Sequence, residues 1–260
     1  MVQLATSSVG DGPALTVLLH GFLGTGRNLR TLALRWAARD PGRKFLLPDL
    51  LGHGDSPPLP PGAGSRELAA AALETIATTG NGGPATWVGH SLGARVALAA
   101  AQLDAKSIRE VIMLDMSPGP ADAPRSRRPM VLDALLHAPA EVDDRRVMRA
   151  DLVERGLQPA LADWLLMNLS QQDGHYRWRI DRNALAELHD RLFAEDLWPV
   201  VESRLVKVRC IRGERSSYVT EADAERMQTA GCPVVTLPGA GHYVHVDALE
   251  PLVEALVSGG

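Results

Sequence analysis

Short apolar runs alternate along this chain with longer stretches whose apolar positions recur every three to four residues. The runs at 15–20, 44–48, 85–89, 110–115, 206–212 and 234–237 are mostly continuous, as strands buried on both faces of a parallel sheet require. Helical periodicity fills 29–39, 65–77, 92–103, 221–230 and 248–257 between them. Such alternation predicts an α/β fold, a mostly parallel sheet flanked by helices.

The pattern breaks between Ser117 and Ser203. That segment carries helix-type stretches at 127–137, 142–155, 159–169 and 183–197, with no convincing strand. A segment this long is not a structureless loop in a compact domain. The expectation is a core of 1–116 and 204–260, with a helical cap of 117–203 inserted over one edge of the sheet. Asp247 followed by Glu250 reads as a capping box opening the last helix.

Composition narrows the classes. A chain of 260 residues, 45% hydrophobic and 22% charged, suits one sizeable domain. A net charge of −4 gives no electrostatic footprint for nucleic acid. The apolar stretches fall short of the roughly 20 residues that cross a bilayer. The first dozen residues have neither a charged n-region nor an apolar h-region, so no secretory leader is expected. Cys210 and Cys232, the only cysteines, sit in apolar strand-like segments and read as buried thiols in a reducing cytoplasm. The histidines are dispersed without the spacing of a zinc helix, and no dinucleotide fingerprint occurs, so neither metal nor cofactor is expected.

Chemistry concentrates at Gly89-His90-Ser91-Leu92-Gly93. An apolar run precedes this G-x-S-x-G and an alanine-rich helix follows, the context in which a sharp strand-to-helix turn presents a serine at the strand tip. A serine hydroxyl needs a base at neutral pH. Among eight histidines, His20 ends a strand, His90 lies inside the turn, His53 sits in Gly52-His53-Gly54-Asp55-Ser56, and His137, His175 and His189 fall in the insertion. His242 and His245 remain, in a glycine-rich loop after the last strand. His242, first after the glycines, is the candidate base; His245 reads as packing or as a group that supports the site from behind.

His20-Gly21-Phe22, the 52–56 turn, the serine pentapeptide and Gly241-His242 stand together in an order and spacing that resembles the α/β-hydrolase superfamily across essentially the whole chain. The resemblance implies an oxyanion hole from the Phe22 and Leu92 amides. It gives Asp49 and the 52–56 turn structural roles only. Many relatives carry Gly-x-x-Asp after the penultimate strand, where this chain reads Gly213-Glu214-Arg215-Ser216. Serine cannot stabilise an imidazolium as a carboxylate does. Asp115, closing the strand after the nucleophile helix, is the expected acid, as in a subgroup of small esterases and thioesterases; Glu214 is the alternative.

The resemblance further implies that the insertion lids the pocket, where Trp164, Met167, Trp178 and Trp198 are candidate substrate contacts, with Asn28 at the border. The expected activity is carboxylic ester hydrolysis through an acyl-enzyme on a small-molecule substrate. Alternatives are acyl-CoA or other thioester hydrolysis, for which Arg125, Arg127 and Arg128 would supply phosphate contacts, and C–C hydrolysis, lyase chemistry or cofactor-free haloperoxidation. A non-catalytic binding protein is a third kind of reading, disfavoured by the presence of both serine and histidine.

Overall fold

A computed structural model describes residues 2–80, 82–120 and 130–259. Its strands, in chain order, are β1 (Thr6–Val9), β2 (Ala14–Leu19), β3 (Arg43–Pro48), β4 (Ala85–His90), β5 (Ile108–Leu114), β6 (Glu141–Val142), β7 (Leu169–Gln172), β8 (His175–Trp178), β9 (Lys207–Gly213) and β10 (Val234–Leu237). The helices outside the insertion are α1 (Arg30–Arg39), α2 (Ser65–Thr79) and α3 (Leu92–Leu103). Within it lie α4 (Met130–His137), α5 (Arg145–Glu154), α6 (Pro159–Leu165), α7 (Arg182–Ala194) and α8 (Trp198–Ser203). The chain closes with α9 (Glu221–Thr229), α10 (Val244–Asp247) and α11 (Leu249–Ser258).

The main sheet runs β1-β3-β2-β4-β5-β9-β10. Only the pairing of β1 with β3 is antiparallel; the other neighbours run parallel. Strand side chains alternate between two faces. Val17, Leu19, Val111 and Met113 join the core cluster that includes α2 and α3, whereas Leu18, Ile112 and Leu114 join the cluster that includes α1 and α11. Both faces are covered, which is why these strands read as unbroken apolar runs. This is the mostly parallel, helix-flanked α/β architecture that the alternation predicts.

Two differences have local causes. β1 escapes the periodicity because Thr6-Ser7-Ser8-Val9 is short and its serines face solvent at the sheet edge. The insertion is not wholly helical: β6, β8 and β7 form a small antiparallel sheet. β7 and β8 pair Gln172 with His175 across Asp173-Gly174, both at positive φ. Asp-Gly is a preferred two-residue hairpin turn, but the flanking residues are polar and carry no strand periodicity. Asp247 does not cap the last helix either. Ala248 is the N-cap, while the Asp247 carboxylate accepts the Gly241 N–H at 2.8 Å. The start of the expected helix at 127–137 lies outside the described residues.

Loops at the carboxyl ends of the strands are tied by specific polar groups. Asp49, after β3, accepts the Gly26 N–H at 2.7 Å and the Asp55 N–H at 2.9 Å. The neighbouring Gly54 has φ +54°, and a Cβ there would lie 2.0 Å from the Asp49 Oδ2, so only glycine fits.

Several histidines are buried in the same layer. His20 donates from Nδ1 to the Gly21 carbonyl and accepts the Leu50 N–H on Nε2, a neutral tautomer fixed at both nitrogens. His53 donates to the Leu51 carbonyl and His90 to the His242 carbonyl. Burial is the chief cause that pushes His20 down to about 4, His53 to about 3 and His245 to about 4, and holds His90 well below its ordinary value.

Below the ordinary histidine value of 6.5 the unfolded chain takes up these protons and the folded chain does not, so stability is lost as pH falls from there towards 4. A single histidine shifted this far contributes about 3 kcal/mol at the lower limit. The expected outcome is a urea midpoint that declines steadily from pH 7 to pH 5, with acid unfolding near pH 4. A midpoint constant across that range would contradict the neutral burial of these rings.

Candidate active site

Parallel register brings the chemistry together. His90 pairs with Leu114, Leu114 with Ile211, and Gly213 with Leu237, so the carboxyl ends of β4, β5, β9 and β10 lie side by side. Ser91 and Asp115 each extend the ladder by one bond, Ser91 N–H to the Leu114 carbonyl at 3.1 Å and Asp115 N–H to the Ile211 carbonyl at 2.9 Å. Both then turn out of their strands at φ 52°, a region L-residues rarely adopt. In open α/β sheets this edge is where ligands are bound.

Ser91 is the N-cap of α3 with ψ −114°, a strained conformation that costs on the order of 1–3 kcal/mol and persists where the surroundings enforce it. Two glycines make the turn possible. A Cβ on Gly89 would lie 2.1 Å from the Gly93 carbonyl carbon, and one on Gly93 would lie 2.3 Å from the Leu19 carbonyl oxygen. The serine is 8% exposed and faces a cavity of about 460 Å³. The Gly21-Phe22 segment lies against it, since a Gly21 Cβ would approach the Ser91 Cβ to 3.5 Å. Leu92 opens α3, so its amide belongs to the first turn, whose N–H groups have no intrahelical acceptor.

His242 lines the same cavity. Its Nδ1 lies 2.7 Å from the Asp115 Oδ2. With Nδ1–H donating to that carboxylate, the neutral ring keeps its lone pair on Nε2. Asp115 is fully buried; its Oδ1 accepts the Gly213 N–H at 2.9 Å and its Oδ2 also accepts from the Ser216 hydroxyl. Ser216, which stands where many relatives carry the acid, is thus a partner of Asp115. Glu214 points elsewhere, accepting the Gly239 N–H at 2.7 Å. His245 packs its ring against His90 at 4.6 Å.

Of the candidate substrate contacts, Asn28 and Trp164 line the cavity. Met167, Trp178 and Trp198 do not line it. Met167 is 46% exposed on a 3-10 turn that follows α6, so it leaves the face that Leu161 and Trp164 share. The Trp178 indole donates to the Pro139 carbonyl at 2.9 Å within the insertion, and Trp198 is buried beside the Arg226 guanidinium at 4.1 Å. Arg125, Arg127 and Arg128 lie outside the described residues.

The insertion instead supplies Val131, Leu161, Trp164, His189, Leu192 and Phe193 to the cavity. Tyr218 and Arg95 also face it, and neither was marked by a motif. Arg95 interrupts the apolar run of α3, the one signal that could have singled it out. Its guanidinium donates to the Ser117, Gly119 and Glu195 carbonyls at 3.0, 2.9 and 2.6 Å, and burial pushes it down to about 10. Burial likewise raises Tyr218 and Tyr243 above the ordinary tyrosine value. Among the described residues no group of three or more His, Cys, Asp or Glu is arranged to hold a metal ion, and no helix is long and apolar enough to cross a membrane.

Known proteins resemble this chain in sequence and in fold. The sn-1-specific diacylglycerol lipase ABHD11 of Mus musculus is 27% identical over 255 residues, covering 95% of this chain and 80% of the relative. Lipase LipV of Mycobacterium tuberculosis is 30% identical over 215 residues, covering 81% of this chain and 78% of the relative. A solved structure described as a marine microorganism esterase superposes with a TM-score of 0.87 over 99% of both chains, at 22% identity, and so speaks to the fold. The sequence pattern of the Alpha/beta hydrolase family matches residues 16–255, and this chain therefore belongs to that family.

Proposed function

We propose that this protein is a serine hydrolase that cleaves carboxylic esters through an acyl-enzyme, with Ser91 as nucleophile, His242 as general base and Asp115 as the acid that orients it. The observation that carries the reading is the 2.7 Å contact between His242 Nδ1 and Asp115, in a cavity that Ser91 also lines. The lipase names among the relatives support ester hydrolysis as the reaction.

In this mechanism His242 Nε2 takes the Ser91 proton as the hydroxyl oxygen attacks the ester carbonyl. The Phe22 and Leu92 amides receive the developing oxyanion, and removing such a donor typically costs roughly 10²–10³ in rate. The imidazolium, stabilised by Asp115, returns the proton to the departing alcohol. Water, deprotonated by the same ring, then hydrolyses the acyl-serine and releases the acid. No step needs a metal or cofactor.

The insertion over 117–203 acts in this reading as the lid. Phe22, Leu161, Trp164, Leu192 and Phe193 give the substrate chamber an apolar, aromatic wall, which suits an ester with an apolar arm. Asn28 is the polar contact. Its Oδ1 accepts the Thr25 N–H at 2.7 Å, so the amide is held with its NH₂ as the group left to donate to a substrate oxygen. Two buried free thiols, Cys210 and Cys232, fit a reducing compartment such as the cytoplasm.

A panel of p-nitrophenyl esters of graded acyl length, run beside acyl-CoA thioesters, tests the reaction. Ester turnover is expected, with Ser91→Ala and His242→Ala each reducing kcat by roughly 10⁴-fold or more. Asp115→Asn is expected to cost about 10³–10⁴-fold and Glu214→Gln less than about tenfold. Near-native turnover by Asp115→Asn beside an inactive Glu214→Gln would reassign the acid, and turnover confined to thioesters would replace the substrate class.

For the chamber, Trp164→Ala and Asn28→Ala are expected to raise KM about tenfold with kcat changed less than about threefold, as loss of uniform binding does. Met167→Ala, on the outside, serves as the control. Equal KM values for all three would remove these two residues from the substrate site.

A further inference from the structure

A single loop, residues 214–220 between β9 and α9, meets both the acid and the base of the proposed reaction. From its first flank, the Gly213 N–H donates to Asp115 Oδ1 at 2.9 Å. Within it, the Ser216 hydroxyl donates to Asp115 Oδ2, the oxygen that also receives His242 Nδ1. Two residues on, the Tyr218 ring lies over the His242 imidazole, with centroids 3.7 Å apart and planes inclined by 17°. We propose that this loop is the positioning device of the acid–base pair, with Ser216 and Tyr218 as positioning residues for ester hydrolysis; the inference rests on the function proposed above.

Each contact removes a different freedom. A buried carboxylate can rotate about its Cβ–Cγ bond unless donors fix both oxygens. Here Gly213 holds one, and Ser216 holds the other together with the histidine. The serine proton is itself aimed, because the Tyr218 N–H donates to the Ser216 oxygen at 3.2 Å, which leaves the hydroxyl hydrogen for Asp115. The imidazole, held by one hydrogen bond at Nδ1, could still pivot about that bond. The stacked tyrosine face blocks the pivot, and the His90 N–H on the His242 carbonyl at 2.9 Å fixes the backbone beneath.

The loop is fastened to the histidine-bearing segment by contacts that need neither side chain. Glu214 N–H donates to the Leu237 carbonyl at 3.1 Å and Arg215 N–H to the Ala240 carbonyl at 2.9 Å. The Glu214 carboxylate accepts the Gly239 N–H. Ser216 N–H closes a turn onto the Gly213 carbonyl at 3.1 Å. Truncating Ser216 or Tyr218 therefore leaves the loop anchored while freeing Asp115 or His242 to wander, an effect on rate rather than on fold.

The test uses Ser216→Ala, Tyr218→Leu and Tyr218→Phe in the full chain, with two readouts. In steady-state hydrolysis of a p-nitrophenyl ester, Ser216→Ala and Tyr218→Leu are each expected to lower kcat about 10- to 100-fold with KM moved less than about threefold. Tyr218→Phe, which keeps the stacked ring, is expected to recover most of the rate lost in Tyr218→Leu. In proton NMR of ¹⁵N-histidine-labelled protein, the downfield His242 Nδ1–H signal is expected in the wild type and broadened in both truncations.

Unchanged kcat with an unchanged signal would overturn the inference. So would an effect on KM alone, or a Tyr218→Phe protein as slow as Tyr218→Leu. Should the wild type hydrolyse no ester while the signal still broadens in the truncations, the loop's role stands and the ester reading falls.

Discussion

Ladder hydrogen bonds between β4, β5 and β9 end within a residue of one another, and Ser91 and Asp115 each take the next place in that ladder before turning away at φ 52°. The spacing between Ser91 and Asp115 is therefore set by interstrand distance, about 4.8 Å per strand step, and not by any loop. Everything else is arranged around that fixed pair. The segment after β10 has only to bring one imidazole back across β9 to reach Asp115, and the carbonyl bond from His90 and the carboxylate of Asp247 hold it there. A slip of one residue in any of these ladders would invert the side-chain faces and separate the two groups.

Much of this was written plainly in the chain. Runs buried on both sides cannot be disguised, so the central strands appear within two residues of where apolar continuity places them. The serine turn is legible because its glycines are forced by sub-van-der-Waals approach to neighbouring backbone, and a steric requirement that absolute leaves a fixed spelling. The glycines ahead of His242 mark the loop that carries it to the cavity. The edge strand β1 and the small sheet of the insertion were hidden for the opposite reason: their residues are polar or half-exposed, and their pairing is specified by partners far away in sequence.

Side chains whose roles depend on loop conformation were the least legible. Trp164, Trp178 and Trp198 are alike as residues, yet one faces the cavity, one ends a strand with its indole on Pro139, and one is buried against Arg226. Size and hydrophobicity give no direction. Ser216 reads in the sequence as a missing acid, whereas its hydroxyl is a donor to Asp115. Tyr218 carried no signal at all, because ring stacking on His242 requires a backbone path that no local pattern encodes.

Arg95 has a consequence for how such a molecule changes over time. One guanidinium on the serine's own helix grips the chain just after it leaves the sheet, at Ser117 and Gly119, and again near its return, at Glu195. That guanidinium is one of several ties between the inserted segment and the layer beneath it, alongside Asn168 on the Leu23 carbonyl at 3.0 Å and Arg179 on the Gly54 carbonyl at 3.1 Å. Substitutions among the cavity-lining residues of that segment, such as Leu161 or Phe193, would redraw the outline of the cavity with these ties intact, while Ser91, Asp115 and His242 keep their station.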